Sequence, residues 1–252
     1  MFALDVKTAI VTGATGGLGS AMALALAKAG AAIVSIELPD DPLSSALKEA
    51  LEHIPVSLHT FRCDLRDSAS LRDCYRRIWD AGIVPDILVN CAGVVRRTPC
   101  EDTCDEDIDL VLNVNVKACY VSTQEFGRRL IYQGRPGKII NISSVTSYQA
   151  GFNTSIYSTS KGAVMQMTKA FSNEWASKGI QVNSIAPDFM DTTMTSGYQA
   201  DPEIIQYLMS RVPMKRWGSP DDLQSAVLFL ASPANRFVSG ITLPVDGGFL
   251  GK

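Results

Sequence analysis

Tyr157 and Lys161 stand four positions apart in the stretch YSTSK, residues 157–161. On a helix that spacing puts both side chains on one face. One reading is a surface tyrosine and a surface lysine on a solvated helix. The other is chemical: an ammonium held beside a phenol favours the phenolate and makes the phenol a stronger acid, fit to exchange a proton with a reacting oxygen. A second stretch with chemical potential is TGATGGLG, residues 12–19. Gly13 lets a strand turn sharply, Gly17 lets the backbone approach a pyrophosphate, and Gly19 lets a helix pack close to a sheet. The helix that follows offers free N–H groups and the positive end of its dipole to phosphate. The spacing is Gly-x-x-x-Gly-x-Gly, and the commoner form is Gly-x-Gly-x-x-Gly. Glu37 ends the next apolar run. A carboxylate about 20 residues after the turn takes both ribose hydroxyls of NAD, and it would repel the 2′-phosphate of NADP. No Arg or Lys lies at 14–19 or 38–40 to neutralise that phosphate.

These residues need elements to hold them. Short apolar, β-branched runs at 8–13, 32–36, 56–63, 86–93, 137–143, 180–187 and 240–248 read as strands. Helical patterns lie between them at 18–29, 43–53, 68–81, 103–133 (in two pieces), 155–178 and 220–231. Strands that are apolar on both faces and alternate with helices imply a parallel sheet covered on both sides. The expectation is one doubly wound α/β domain over residues 1–252, with seven parallel strands and helices on both faces. No repeat or linker divides the chain. Residues 190–217, after the sixth strand, are long and mixed in character, which predicts a lid over a substrate. Met190, Met194, Tyr198 and Tyr207 have the types to wall an apolar pocket there.

Composition narrows the function classes. Of 252 residues, 46% are hydrophobic and 19% charged, with a net charge of −3. No basic stripe argues for nucleic acid or an anionic membrane as partner. Arg76 and Arg77, and Arg128 and Arg129, read as solvated helix faces. Asp5 and Lys7 interrupt any signal-peptide pattern, and the apolar stretch at 21–36 contains Lys28 and Gly30 and falls short of a membrane span. Six cysteines form no CxxC pair, so reduced thiols and a cytoplasmic location are expected. Cys100 and Cys104 lie near Glu101, Asp102 and Asp105, but no His or further Cys completes a set, so no metal is expected. Neither His53 nor His59 falls in a catalytic pattern.

Seven motifs occur in order: TGATGGLG (12–19), CDL (63–65), NCAG (90–93), NVN (113–115), ISS (142–144), YSTSK (157–161) and VDGG (245–248). In this the chain resembles the short-chain dehydrogenase/reductase family over essentially its whole length. The resemblance implies a Rossmann-like domain, a nicotinamide cofactor and hydride transfer between it and a secondary alcohol or ketone. It implies a tetrad of Asn115, Ser144, Tyr157 and Lys161. Ser144 hydrogen-bonds the substrate oxygen, Tyr157 exchanges the proton, Lys161 holds the nicotinamide ribose, and Asn115 positions a water behind Lys161. Ser144 is preferred to Ser143 because family members place the serine thirteen residues before the tyrosine. By the same resemblance Asp64 and Leu65 contact the adenine, and Asn90, Ala92 and Gly93 line the cofactor. Thr15, Gly16, Leu18, Pro187 and Thr192 complete the cofactor set. NAD is expected ahead of NADP.

AGVVRRTP (92–99), NEWASKGIQVNSIAP (173–187), RVPMKRWGSPDDL (211–223) and VDGGFL (245–250) are similar to the sugar-acid branch of that family. This implies a gluconate-type substrate whose carboxylate lies close to Arg97. The chain departs from the family at Pro187-Asp188, where the family has Pro-Gly. Gly tolerates backbone angles that Asp accepts less readily, and a carboxylate at Asp188 bears on the substrate as repulsion or as an extra acid/base group. The alternatives are a reductase of a larger apolar ketone and, more remotely, a non-redox nucleotide binder. Family members are commonly homotetramers, and the same is expected here.

Overall fold

The computed structural model describes residues 2–41, 44–199 and 201–252. In chain order the elements are β1 (Thr8–Thr12), α1 (Gly17–Lys28), β2 (Ala32–Glu37), α2 (Ser44–Leu51), β3 (Leu58–Arg62), α3 (Ser68–Asp80) and β4 (Ile87–Asn90). Then come α4 (Asp105–Val111), a π-helical turn (Leu112–Ala118), α5 (Cys119–Gln133), β5 (Gly137–Ile142), α6 (Ser155–Trp175) and β6 (Ile180–Pro187). The chain ends with α7 (Ser196–Gln199), α8 (Pro202–Arg211), α9 (Gln224–Ala231) and β7 (Thr242–Val245).

The seven strands form one sheet in the order β3-β2-β1-β4-β5-β6-β7, and every neighbouring pair is parallel. Side chains alternate across a strand, and the central strands are apolar on both faces, while the edge strand β3 exposes His59, Thr60 and Arg62. Val11, Ile33, Val89 and Ile140 point to one side, into a core with Met22 and Leu26 of α1 and Leu230 of α9. Ile10, Val34, Leu88 and Ile139 point to the other, against Tyr75 of α3, Phe126 of α5 and Phe171 of α6. The order reverses between β1 and β4, since β2 leads one way and β4 the other. In open α/β sheets ligands bind at the carboxyl ends of the strands beside such a switch point.

The observed elements are mostly shorter than the sequence patterns. β3 starts at Leu58 and β7 spans only Thr242–Val245. Among described residues α2 begins at Ser44; Leu43, where the pattern starts, lies outside them. The helix expected from 220 opens as a 3-10 turn, Pro220–Leu223. There the Ser219 hydroxyl accepts from the Asp221 amide while Asp222 accepts from the Ser219 amide at 2.7 Å, a reciprocal cap that fixes the entry. The segment after β6 is tied at its ends. Asp191 donates to the Gly218 carbonyl at 2.7 Å and Gly218 to that of Phe189 at 2.9 Å, so 191–217 leave and return through one bridge. No helix among the described residues is long and apolar enough to cross a membrane, and all six cysteines are free thiols.

Candidate active site

α6 carries the central pair. Tyr157 is half-buried on its first turn, and Lys161 is 4% exposed one turn later. The Lys161 ammonium lies 5.6 Å from the centre of the Tyr157 ring. It donates to the carbonyl of Ile142, the last residue of β5, at 2.8 Å. A buried ammonium needs such partners, and this one fixes the side chain against the sheet end. The solvated-surface reading of the pair therefore fails for Lys161.

β5 continues into two serines with different neighbours. Ser143 donates to the Lys161 carbonyl at 3.0 Å, bracing α6. Ser144 accepts from the Thr146 amide at 3.1 Å and caps the turn Val145–Ser147. The described bonds commit the Ser143 hydroxyl hydrogen and leave that of Ser144 available to a ligand oxygen.

Asn115 sits in the π-helical turn, an irregularity that often marks functional positions. Its amide clamps the backbone of Val94, accepting from the amide at 2.8 Å and donating to the carbonyl at 2.9 Å. It also donates to the Ser160 hydroxyl at 3.0 Å. A Cβ built on Gly93 would lie 3.3 Å from Asn115 Oδ1 and 3.5 Å from Lys161 Nζ. Asn115, Lys161 and Gly93 thus converge, and Asn115 holds the loop after β4. Two positioning residues escaped the sequence reading. Ser160 links Asn115 to α6, donating to the Tyr157 carbonyl at 2.7 Å. Thr12 accepts from the amides of Cys91 and Ala92 at 3.1 and 3.2 Å. Both lie inside quoted motifs, and that adjacency was their only signal.

The glycine turn joins this site through Ala92. Gly13 has φ +66°, and a Cβ there would approach Ala92 Cα to 2.9 Å. Left-handed angles and this approach both require glycine. At Gly19 a Cβ would overlap the Gly13 carbonyl oxygen, so α1 packs directly on the turn. α1 opens at Gly16 with no side-chain cap and no acidic residue in its first turn. The amides of Gly17, Leu18 and Gly19 are its first-turn donors. Gly17 faces Thr192 from the segment after Pro187, its built Cβ 3.2 Å from Thr192 Cγ2. Thr15 donates to Asp41 at 2.5 Å, tying the turn to the loop after β2.

The residues expected at the adenosine end are more engaged than their sequence suggests. Glu37 is 3% exposed and accepts from the Ser35 hydroxyl at 2.7 Å. Arg62, across from it in β3 register, donates to the carbonyls of Leu38 and Pro39. Arg62 lies outside residues 14–19 and 38–40, and only strand pairing brings it beside this loop. Asp64 is gripped by Arg66 at 2.7 and 3.0 Å, and that hydrogen bond holds its carboxyl below the usual value. Leu65 packs on the second core. The Asn90 amide nitrogen turns inward, donating to Thr123 at 3.0 Å and Asn141 at 2.9 Å.

Arg97 and Asp188 are placed differently from the tetrad. Arg97 donates to the Met194 carbonyl at 3.0 Å, with its guanidinium 4.4 Å from the centre of the Tyr198 ring. Arg96 turns to Asp107 at 2.8 Å. Asp188 is not among the residues with positive φ, so the expected backbone strain is absent. Its two carboxyl oxygens are buried, and among the described residues no donor meets them in hydrogen-bond geometry; the neighbouring Phe189 amide favours the charged form without making a bond of that quality. Asp188 lines a cavity whose walls include none of Ser144, Tyr157, Lys161 or Arg97. Burial, reinforced by Asp246, pushes this carboxyl up from 3.8 to about 7, against smaller opposing effects of the Phe189 amide and Arg211. Of the expected apolar wall, Met190 is 4% exposed and belongs to the core, Tyr198 lies beneath Arg97, and Tyr207 is 61% exposed.

The site fits a dinucleotide. An uncapped helix start suited to a diphosphate, an acid at the end of β2 suited to a ribose, and a half-buried phenol beside a buried ammonium lie along the carboxyl ends of the strands. Bound there, a nicotinamide supplies the hydride acceptor or donor. Comparison with known proteins agrees. The family model described as enoyl-(acyl carrier protein) reductase matches residues 13–250. The 2-dehydro-3-deoxy-D-gluconate 5-dehydrogenase of Dickeya dadantii is 39% identical, over 100% of this chain and 98% of its own. A putative gluconate dehydrogenase of Agrobacterium tumefaciens superposes with a TM-score of 0.95 at 34% identity, covering 100% of this chain and 98% of that one. A gluconate 5-dehydrogenase of Burkholderia cenocepacia, solved with NADP and tartrate, gives 0.94 at 35% identity with the same coverage. Fold, motif order and full-length relatives coincide, and the chain belongs to the short-chain dehydrogenase/reductase family of nicotinamide-dependent oxidoreductases.

Proposed function

We propose that this enzyme interconverts the hydroxyl and ketone of a gluconate-type sugar acid, with NAD as the preferred cofactor. The observation that carries the chemistry is the buried Lys161 ammonium, pinned to the Ile142 carbonyl at 2.8 Å beside the Tyr157 ring. In oxidation Tyr157, as phenolate, accepts the hydroxyl proton of the substrate. Ser144 donates a hydrogen bond to the same oxygen and holds it as charge changes there. Lys161 keeps a positive charge next to the phenolate and reaches the ribose that carries the nicotinamide. Asn115 fixes the loop from Gly93 to Arg97 and is suited to hold a water behind Lys161. In reduction the proton runs the other way.

The sugar-acid assignment rests on the names of the relatives and on Arg97, a guanidinium on the loop after β4 suited to a carboxylate. The cofactor preference rests on Glu37, whose charge opposes a 2′-phosphate. Against it stand the NADP in the Burkholderia structure and the nearness of Arg62. A spectrophotometric screen at 340 nm tests both parts. Gluconate and its 2-keto-3-deoxy relative should turn over with NAD, ahead of neutral polyols and apolar alcohols. Turnover of apolar ketones with no response to any sugar acid would defeat the substrate class while sparing the Tyr157–Lys161 chemistry.

A further inference from the structure

Beyond the reaction site, a cavity of about 330 Å³ lies between the ends of β6 and β7 and the chain at 212–218. Its walls mix apolar side chains, Phe189, Val212, Met214, Pro244 and Val245, with the charged groups of Asp188, Arg216, Asp222 and Asp246. Asp188 lines it with both carboxyl oxygens buried and unpartnered among the described residues. An unpaired buried carboxylate is costly and is usually matched by a cation or by several donors. The nearby cations are engaged elsewhere. Arg216 grips Asp222 at 2.7 and 3.0 Å. Arg211 donates to Gln149 at 2.9 Å and stacks 4.6 Å from the centre of the Phe249 ring. Two further carboxylates line the cavity: Asp222 is held by Arg216, and Asp246 accepts from the Gly248 and Leu250 amides at 2.9 Å each and adds negative potential.

We propose that this cavity binds a primary alkylammonium group, with Asp188 as its anchor. Charge matches charge, N–H donors meet both orphan oxygens, and the alkyl part lies against the apolar walls. A divalent metal fits less well: among the described residues no three His, Cys, Asp or Glu side chains converge to hold one. A neutral alcohol supplies a donor but leaves the charge uncompensated. The site does not depend on the sugar-acid reading, because its walls exclude the catalytic residues and Arg97.

The probe is n-butylammonium chloride, with n-butanol and sodium butyrate as controls, titrated calorimetrically into the full-length protein at pH 8 and pH 6. An alkylammonium, like the lysine head with its pKa near 10.4, is charged at both. A charge-assisted hydrogen bond predicts about tenfold or greater preference for butylammonium over butanol at pH 8. Asp188→Asn should reduce that preference to under about threefold, and butyrate should not bind. Affinity should weaken at pH 6, where the Asp188 carboxyl is largely protonated; Asp246, Asp222, Arg211 and Arg216 are the other charged groups about it. Should the variant fold poorly, carboxyl carbon NMR of the wild type decides, since saturating butylammonium must lower the titration midpoint of Asp188. Equal affinity for the alcohol and the ammonium, an ammonium response that survives Asp188→Asn, or no saturable binding, as for a cavity holding only water, would each overturn the proposal.

Discussion

The guanidinium of Arg97 lies over the Tyr198 ring, 4.4 Å from its centre, and donates to the Met194 carbonyl at 3.0 Å. The loop after β4 is thereby fastened to the segment after β6. An arginine that stacks on one face keeps other donors of its planar fork for a ligand, so one residue can hold the segment and bind a carboxylate.

Arg97→Ala separates those two roles. Loss of a charge-assisted hydrogen bond, about 1.5–3 kcal/mol, should cost a sugar acid roughly 10- to 150-fold in kcat/KM. Its uncharged alcohol counterpart should lose only what the stack contributes, about 0.5–1 kcal/mol at an exposed site, or a few-fold. Tyr198→Leu should produce that small loss on both substrates. Arg96→Ala should do little, since Arg96 is turned to Asp107 in a partly exposed pair. Equal losses on acid and alcohol for Arg97→Ala would show that it serves the segment alone.

Tyr157→Phe removes the exchangeable proton and almost nothing else. The variant should keep its melting temperature and cofactor affinity yet lose nearly all turnover, at least about 100-fold on the usual scale of acid–base catalysis. Retention of most of the wild-type rate would mean that another group moves the proton.

Glu37 bears on the choice of cofactor. The wild type should show the higher kcat/KM with NAD, and Glu37→Ser should raise the NADP:NAD ratio by relieving repulsion of the 2′-phosphate. Arg62→Ala added to that variant should lower the ratio again if Arg62 swings from the Leu38 and Pro39 carbonyls to the phosphate. A wild type that favours NADP would place the Glu37 charge out of reach of the ribose.

The sheet was legible because its central strands are apolar on both faces, a pattern that solvent-facing strands do not show. Tyr157 and Lys161 were legible through helical spacing, and Gly13 because a strand-to-helix turn demands a left-handed residue. Other features have no local signature. The π-helical turn around Asn115 differs from a regular helix by one residue of winding, which side-chain periodicity over seven residues does not resolve. Arg62 meets the loop at 38–39 only through the pairing of β2 with β3, so a search of nearby positions passed over it. Asp188 read as backbone strain or as a carboxylate facing the substrate because its replacement of glycine was visible, whereas its burial away from the catalytic residues depends on residues 212–218 and 244–248, which lie against it from elsewhere in the chain.

That burial makes stability depend on pH. In the unfolded chain the Asp188 carboxyl titrates near the ordinary 3.8, and in the folded protein burial raises it to about 7. Between those values the native state holds a proton that the unfolded state has released, so stability falls as pH rises from about 4 to about 7. Below pH 4 both states are protonated and the term vanishes; above pH 7 both are ionised and the penalty is complete. Its ceiling is about 4 kcal/mol, and about 2 kcal/mol remains once the solvent still reaching this region is allowed for. Asp188→Asn abolishes the titration, whatever fixed offset its buried amide adds. The melting temperature of the variant should therefore gain on the wild type by about 4–8 °C between pH 4.5 and pH 8, with no further gain above. Thermal melts across that range, in buffers without amines, provide the measurement. A difference that stays flat with pH would show that the Asp188 carboxylate ionises at little cost, held by a partner inside the folded chain.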